Sequence, residues 1–140
     1  MLNAVLSPIA DRVYALMRII TGLMFAFHGM QKVFGVMGIP KQDMATQGGI
    51  GGIIELAAGV MIAIGFFSRT AAFISSGTMA VAYWQFHVIK SEITGISRFL
   101  PGTNGGEPAA LYCFLFLFIA CKGAGPWSVD AKREKASKAD

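Results

Sequence analysis

Charge is scarce in this chain. Only 14% of its 140 residues are Asp, Glu, Lys or Arg, against about 25% in a typical soluble domain. With 54% hydrophobic residues and a mean hydropathy of +0.57, the shortage argues for an integral membrane protein. Cysteine is limited to Cys113 and Cys121, in one apolar run. On a helix they share a face but stand about 12 Å apart along the axis, beyond the ~7 Å Cα separation a disulfide tolerates. That argues against a thiol relay with an internal redox pair. The P-loop, CxxC and HExxH patterns are missing. The start, MLNAVLSPIADR, lacks a basic n-region followed by an h-region and a small-residue cleavage site. The first apolar segment is therefore expected to act as an uncleaved insertion signal. There is no long repeat and no low-complexity segment.

The chain does contain four apolar segments, at about 13–34, 48–67, 70–89 and 108–124. Each approaches the ~20 residues that cross ~30 Å of hydrocarbon. Pro108 suits the first turn of the last one. The tight FFSRT connection makes the second and third segments an antiparallel hairpin. KSEITGISRFLPGTNGGE is the longest loop and the one expected to carry function. The fold class expected is all-α, an integral membrane four-helix up-down bundle forming one domain over 1–140. Arg12, Arg69, Lys122, Lys132, Arg133, Lys135 and Lys138 fall on one side of such a bundle. The positive-inside rule therefore puts both termini in the cytoplasm of a bacterial inner membrane. The net charge of +4 comes mostly from the basic tail at about 130–140, read as a neighbour of anionic lipid and not as a nucleic-acid patch.

A few ionisable residues interrupt the apolar runs, where a charge is costly and usually functional. His28 and Lys32 are i and i+4 on one helix face, in the outer half of the first segment. Glu55 lies in the outer half of the second. Counted from the segment ends, His28 and Glu55 both lie roughly 10 Å inside the boundary, so the two can pair or relay a proton. His87 and Lys90 end the third segment, and Asn104 and Glu107 precede the fourth. Two readings stay open: an ion-pair clasp that fixes helix register, or a proton-handling pocket. Lys90 suits snorkelling. Arg18 and Arg69 are assigned to phospholipid or carbonyl contacts. Gly22, Gly51 and Gly59 are expected to let helix backbones approach. Axial ligation of haem by His28 and His87 is disfavoured by their unequal depths, and no metal site is expected.

RIITGLMFAFHGMQKVFG at Arg18–Gly35 resembles the opening helix of DoxX-family membrane proteins. The similarity continues through GGIIELAAGVMIAIGFFSRTAA, resumes at NGGEPAALY (Asn104–Tyr112) and closes at GAGPWSVD (Gly123–Asp130). The resemblance implies a four-helix membrane bundle tied to membrane redox chemistry, including quinone reduction, and to oxidative-stress complexes. Fold transfers along such a likeness better than activity does.

Together these readings point to a quinone-associated oxidoreductase subunit or accessory. His28, Glu55 and Lys32 are its candidate proton-transfer residues, and His87, Asn104 and Glu107 its candidate cofactor-binding rim. Quinone is the expected cofactor. The expected partners are the lipid bilayer and other membrane or redox subunits, one of which supplies electrons. The alternatives are a non-catalytic structural subunit of a respiratory assembly and a small-solute transporter. The transporter reading calls for a homo-oligomer, since four helices are short for alternating access.

Overall fold

A computed structural model describes residues 1–138, and those residues are helical without strands. In chain order the helices are α1 (Leu2–Leu6), α2 (Ala10–Phe34), α3 (Gln47–Ile64), α4 (Ser68–Ala82), α5 (Pro101–Asn104), α6 (Glu107–Lys122) and α7 (Val129–Ser137). A 3₁₀ turn at Ser7–Ile9 links α1 to α2, and α4 runs on as a π-helical segment, Tyr83–Ile89. The four expected apolar segments correspond to α2, α3, α4 with its π extension, and α6. Two stretches, Leu2–Phe34 and Gln47–Ile64, are long and apolar enough to cross a membrane. The expected tail is mostly helical as α7; its positions 139 and 140 lie outside the described residues.

Helices α2 and α3 run antiparallel in backbone contact. A Cβ on Gly22 would stand 2.5 Å from the Ala63 nitrogen, one on Gly29 2.2 Å from the Leu56 nitrogen, and one on Gly59 2.4 Å from the Ala26 nitrogen. Only glycine permits that approach, as in small-residue membrane interfaces. Gly51 does not take part, contrary to expectation: a Cβ there meets open space. Helices α4 and α6 form the second antiparallel pair, where the Ser76 hydroxyl donates to the Cys113 carbonyl at 2.8 Å. Tyr14, Phe25, Ile62, Ala72, Met79, Phe116 and Ile119 form the buried core. Much of the outer face stays apolar and exposed, including Leu16, Ile20, Leu23 and Phe27 on α2 and Leu111, Phe114 and Phe118 on α6. Both cysteines are free thiols.

Three arginines seal helix C-termini, where partial negative charge collects on unpaired carbonyls. Arg18 is fully buried and donates to the Ile62 and Ala63 carbonyls at 2.6 and 2.7 Å and to the Trp127 carbonyl at 2.9 Å. Arg69 donates to the Ala120 and Cys121 carbonyls at the end of α6. Arg98 donates to the Val88 carbonyl at 2.7 Å. Arg18 and Arg69 thus both make the expected carbonyl contacts.

The α3–α4 turn is shorter than its sequence suggested. It spans residues 65–67, and Ser68 and Arg69 already belong to α4. The cause lies far along the chain: the Asp130 carboxylate accepts from the Phe67 and Ser68 amides, each at 2.9 Å, and so starts α4. Phe67 is held at φ 45°, a conformation that disfavours side chains. Gly65 has φ 72°, and a Cβ there would stand 2.2 Å from Ser128 Cβ. The WSVD segment is thus a clasp closing this end of the molecule, with Ser128 capping α7 through the Ala131 amide.

Candidate functional site

The opposite end holds a cavity of about 730 Å³, within the 300–1,000 Å³ usual for small-molecule sites. Phe25, Ile50, Ile54, Met79, Val81 and Phe86 supply apolar wall, and His28, Lys32, Glu55, His87 and Tyr112 supply polar groups. Toward the molecule's centre it is floored by aromatics: Tyr112 stacks on Phe116 at 5.4 Å, and Phe25 meets Phe116 edge-on at 4.6 Å. Gly51 and Gly77 also line it, and a Cβ on either meets nothing within 4 Å. Glycine at both positions leaves the space open.

The charged centre is the ion pair between Lys32 Nζ and Glu55 Oε1, at 2.5 Å. This corrects the expected His28–Glu55 pairing. Gly29 occupies the α2–α3 contact, so His28, one residue earlier, is turned aside and exposed. Its ring lies edge-on to Tyr112 at 6.5 Å. Lys32 instead runs its stem over Gly52, where an added Cβ would stand 2.8 Å from Lys32 Cβ. That route carries its ammonium to Glu55, one turn further along α3. Glu55 is buried, and its second oxygen, Oε2, has no partner in the protein. The Tyr112 hydroxyl is likewise buried and unpartnered.

The rim residues divide. His87, on the π segment, lines the cavity, and its Nδ1 stands 3.2 Å from the Asn104 carbonyl oxygen. Asn104 is committed to the loop: its amide donates to the Arg98 carbonyl at 2.8 Å and its Oδ1 accepts from the Gly106 amide. Asn104 therefore positions His87 and is not part of the cavity wall. Glu107 is exposed in the first turn of α6, outside the lining. Lys90 lies over the Phe86 ring at 4.8 Å. Among the described residues no three His, Cys, Asp or Glu side chains converge as a metal site would require.

Sequence reasoning missed Tyr112 as a site residue. Its signal was present: a tyrosine inside the uncharged run LYCFLFLFIAC must find a partner for its hydroxyl when buried.

Comparison with known proteins agrees with the resemblance read from the motifs. A family model described as DoxX matches residues 13–88. A protein of Haemophilus influenzae (strain ATCC 51907 / DSM 11121 / KW20 / Rd), described as uncharacterized, is 36% identical over 125 residues, covering 84% of this chain and 88% of its own length. No solved structure matches the chain.

Proposed function

This chain belongs to the DoxX family, whose members are membrane-associated, and from its lined cavity we propose that it is a quinone-binding subunit of a membrane redox assembly. The observation that carries the reading is a largely apolar cavity whose lining includes His28, Tyr112 and the Lys32–Glu55 ion pair. Such sites hold a ligand with apolar wall and orient it with a few polar groups, and a flat apolar ring with polar oxygens matches both.

In this proposal four helices cross the bacterial inner membrane up and down, and both termini are cytoplasmic. The basic α7 lies on the cytoplasmic side, and the cavity end opens toward the opposite face. Bound quinone supplies reversible two-electron, two-proton chemistry, with electrons coming from a partner subunit. Glu55 and Tyr112 hold the ring oxygens. Lys32 pairs with Glu55 and fixes its orientation. The exposed His28 exchanges protons with the surroundings. His87, set by the Asn104 carbonyl, closes the rim.

The test is gentle purification from the membrane followed by organic extraction and mass spectrometry. A lipid-soluble quinone retained near stoichiometry and lost in Glu55→Leu supports the reading. A homogeneous, folded protein that never retains or takes up a quinone overturns it.

A further inference from the structure

We propose, resting on the quinoid reading above, that the cavity has a second opening, a slot between α3 and α4 that faces lipid and holds the hydrocarbon tail of the ligand. The ligand is then an amphiphile with one polar head and one long chain, taken directly from the bilayer. A residue that both lines the cavity and is exposed marks a place where the cavity opens. Ile50 on α3 and Gly77 and Val81 on α4 meet both conditions. Gly51 and Gly77 carry no side chain, and a Cβ on either meets nothing within 4 Å, so neither helix fills the gap at this level.

The seam between α3 and α4 is filled only near the turn that joins them, where Ile62 and Ala72 are fully buried in the core. Ile54 and Gly77 stand about 15 Å along their helices from that turn, and Gly51 and Val81 about 20 Å. Both levels fall inside the ~30 Å of hydrocarbon, so in the proposed topology the slot meets acyl chains and not water. The opposite seam, α2 against α6, is bridged by rings: Tyr14 meets Phe118 at 5.8 Å, Phe25 meets Phe116 at 4.6 Å, and His28 meets Tyr112 at 6.5 Å. The chemistry divides the same way. The Thr78 hydroxyl, on the slot side, is spent on the Ile74 carbonyl at 2.9 Å. His28 and Lys32 on α2, with Gln42 and Gln47 beyond them, make the mouth at the helix ends polar. A chain leaving by that mouth would have to enter water, which apolar groups resist. A chain in the slot stays in hydrocarbon while the head reaches the Lys32–Glu55 end.

The test uses the full-length chain in lipid nanodiscs and a decyl-benzoquinone carrying a diazirine at the end of its chain. After irradiation, mass spectrometry maps the label. Label on Ile50–Ile54 and Gly77–Val81 that unlabelled decyl-benzoquinone competes away is the expected result. Competed label on Ile39, Gln42 or Gln47 instead would mean that the chain leaves by the polar mouth, which overturns the slot and leaves the quinoid site standing. Label that unlabelled quinone does not reduce anywhere overturns both. Gly77→Leu places a side chain in the slot, and it should weaken the decyl probe about 10-fold more than a tail-less dimethoxy-methyl-benzoquinone, the usual scale of overpacking. An equal effect on the two probes contradicts the slot. If Gly77→Leu fails to fold, the label map on the unaltered protein decides.

Discussion

At the scale of single residues, the choice of partner for Glu55 is made by helix-face geometry. His28 and Lys32 share a face of α2, and the sequence placed His28 and Glu55 at matched depth. Depth leaves rotation open, and Gly29 sets the rotation by taking the backbone contact with Leu56. Removing one member of the Lys32–Glu55 pair leaves the other without its counter-charge. Lys32→Met and Glu55→Leu are each expected to lower stability by on the order of 2–3 kcal/mol, below the usual range for fully buried pairs because Lys32 is partly exposed. The double variant should recover much of that loss. Thermal unfolding of the four proteins in one detergent reads the coupling; strictly additive losses would show that the contact has no energetic weight. His28→Ala in the same assay should cost far less than either.

Asp130 supplies a second residue-scale prediction. Burial pushes its carboxyl up, but the Ser68 and Phe67 amides and the Arg133 charge pull it down further, leaving it below its ordinary value. A folded pKa below the unfolded one stabilises the fold fully above the unfolded value, about 3.9. That contribution disappears as pH falls through the lower folded value. Asp130→Ala should therefore cost about 0.5–2 kcal/mol near neutrality, as expected for a lost helix cap. The gap from the unaltered protein should close below about pH 4. Unfolding midpoints measured from pH 7 to pH 2 check this; a gap constant over that range would show that the carboxylate is not the cap.

At the scale of elements, glycines divide into two kinds that look alike in sequence. Gly22, Gly29 and Gly59 bring α2 and α3 together, while Gly51 and Gly77 keep the cavity open. Gly29→Ala forces a methyl group into the α3 backbone and should cost about 1–3 kcal/mol or more. Gly51→Ala meets open space and should be neutral, or stabilising by up to about 1 kcal/mol through helix propensity. Equal losses at the two positions would contradict this division. The helices themselves were legible because long apolar runs bounded by Gly and Pro leave few alternatives. Helix ends were less legible. Where α4 begins depends on Asp130, and a cap supplied from another helix leaves no mark in the local sequence. Tyr112 was missed for a related reason: the demand of its hydroxyl appears only once the neighbouring helices surround it.

At the scale of the whole molecule, the two ends have different work. One end is clasped by Arg18, Arg69, Ser128 and Asp130, which bond helix termini. The other end holds the cavity lined by His28, Lys32, Glu55 and Tyr112. The proposed topology puts the clasp on the cytoplasmic side, following the basic residues of Arg69 and α7. In a variant with Cys113 and Cys121 replaced by Ala, a cysteine introduced at Ser137 should resist an impermeant thiol reagent in intact cells and react after lysis. One introduced at Thr94, in the loop at the cavity end, should react in intact cells. Labelling of the Ser137→Cys variant from outside would invert the topology.

The central claim is that the space between His28, Glu55 and Tyr112 exists to hold a ligand, and Gly51 offers the most direct test. Gly51→Leu fills that space from a position where the backbone tolerates a side chain, so binding and stability separate. The measurement is a paired titration of the unaltered protein and Gly51→Leu in nanodiscs with a decyl-benzoquinol, alongside the thermal midpoint of each. The account expects saturable binding to the unaltered protein, and loss of that binding in the variant with an equal or higher midpoint. Binding of equal strength in both proteins would contradict it.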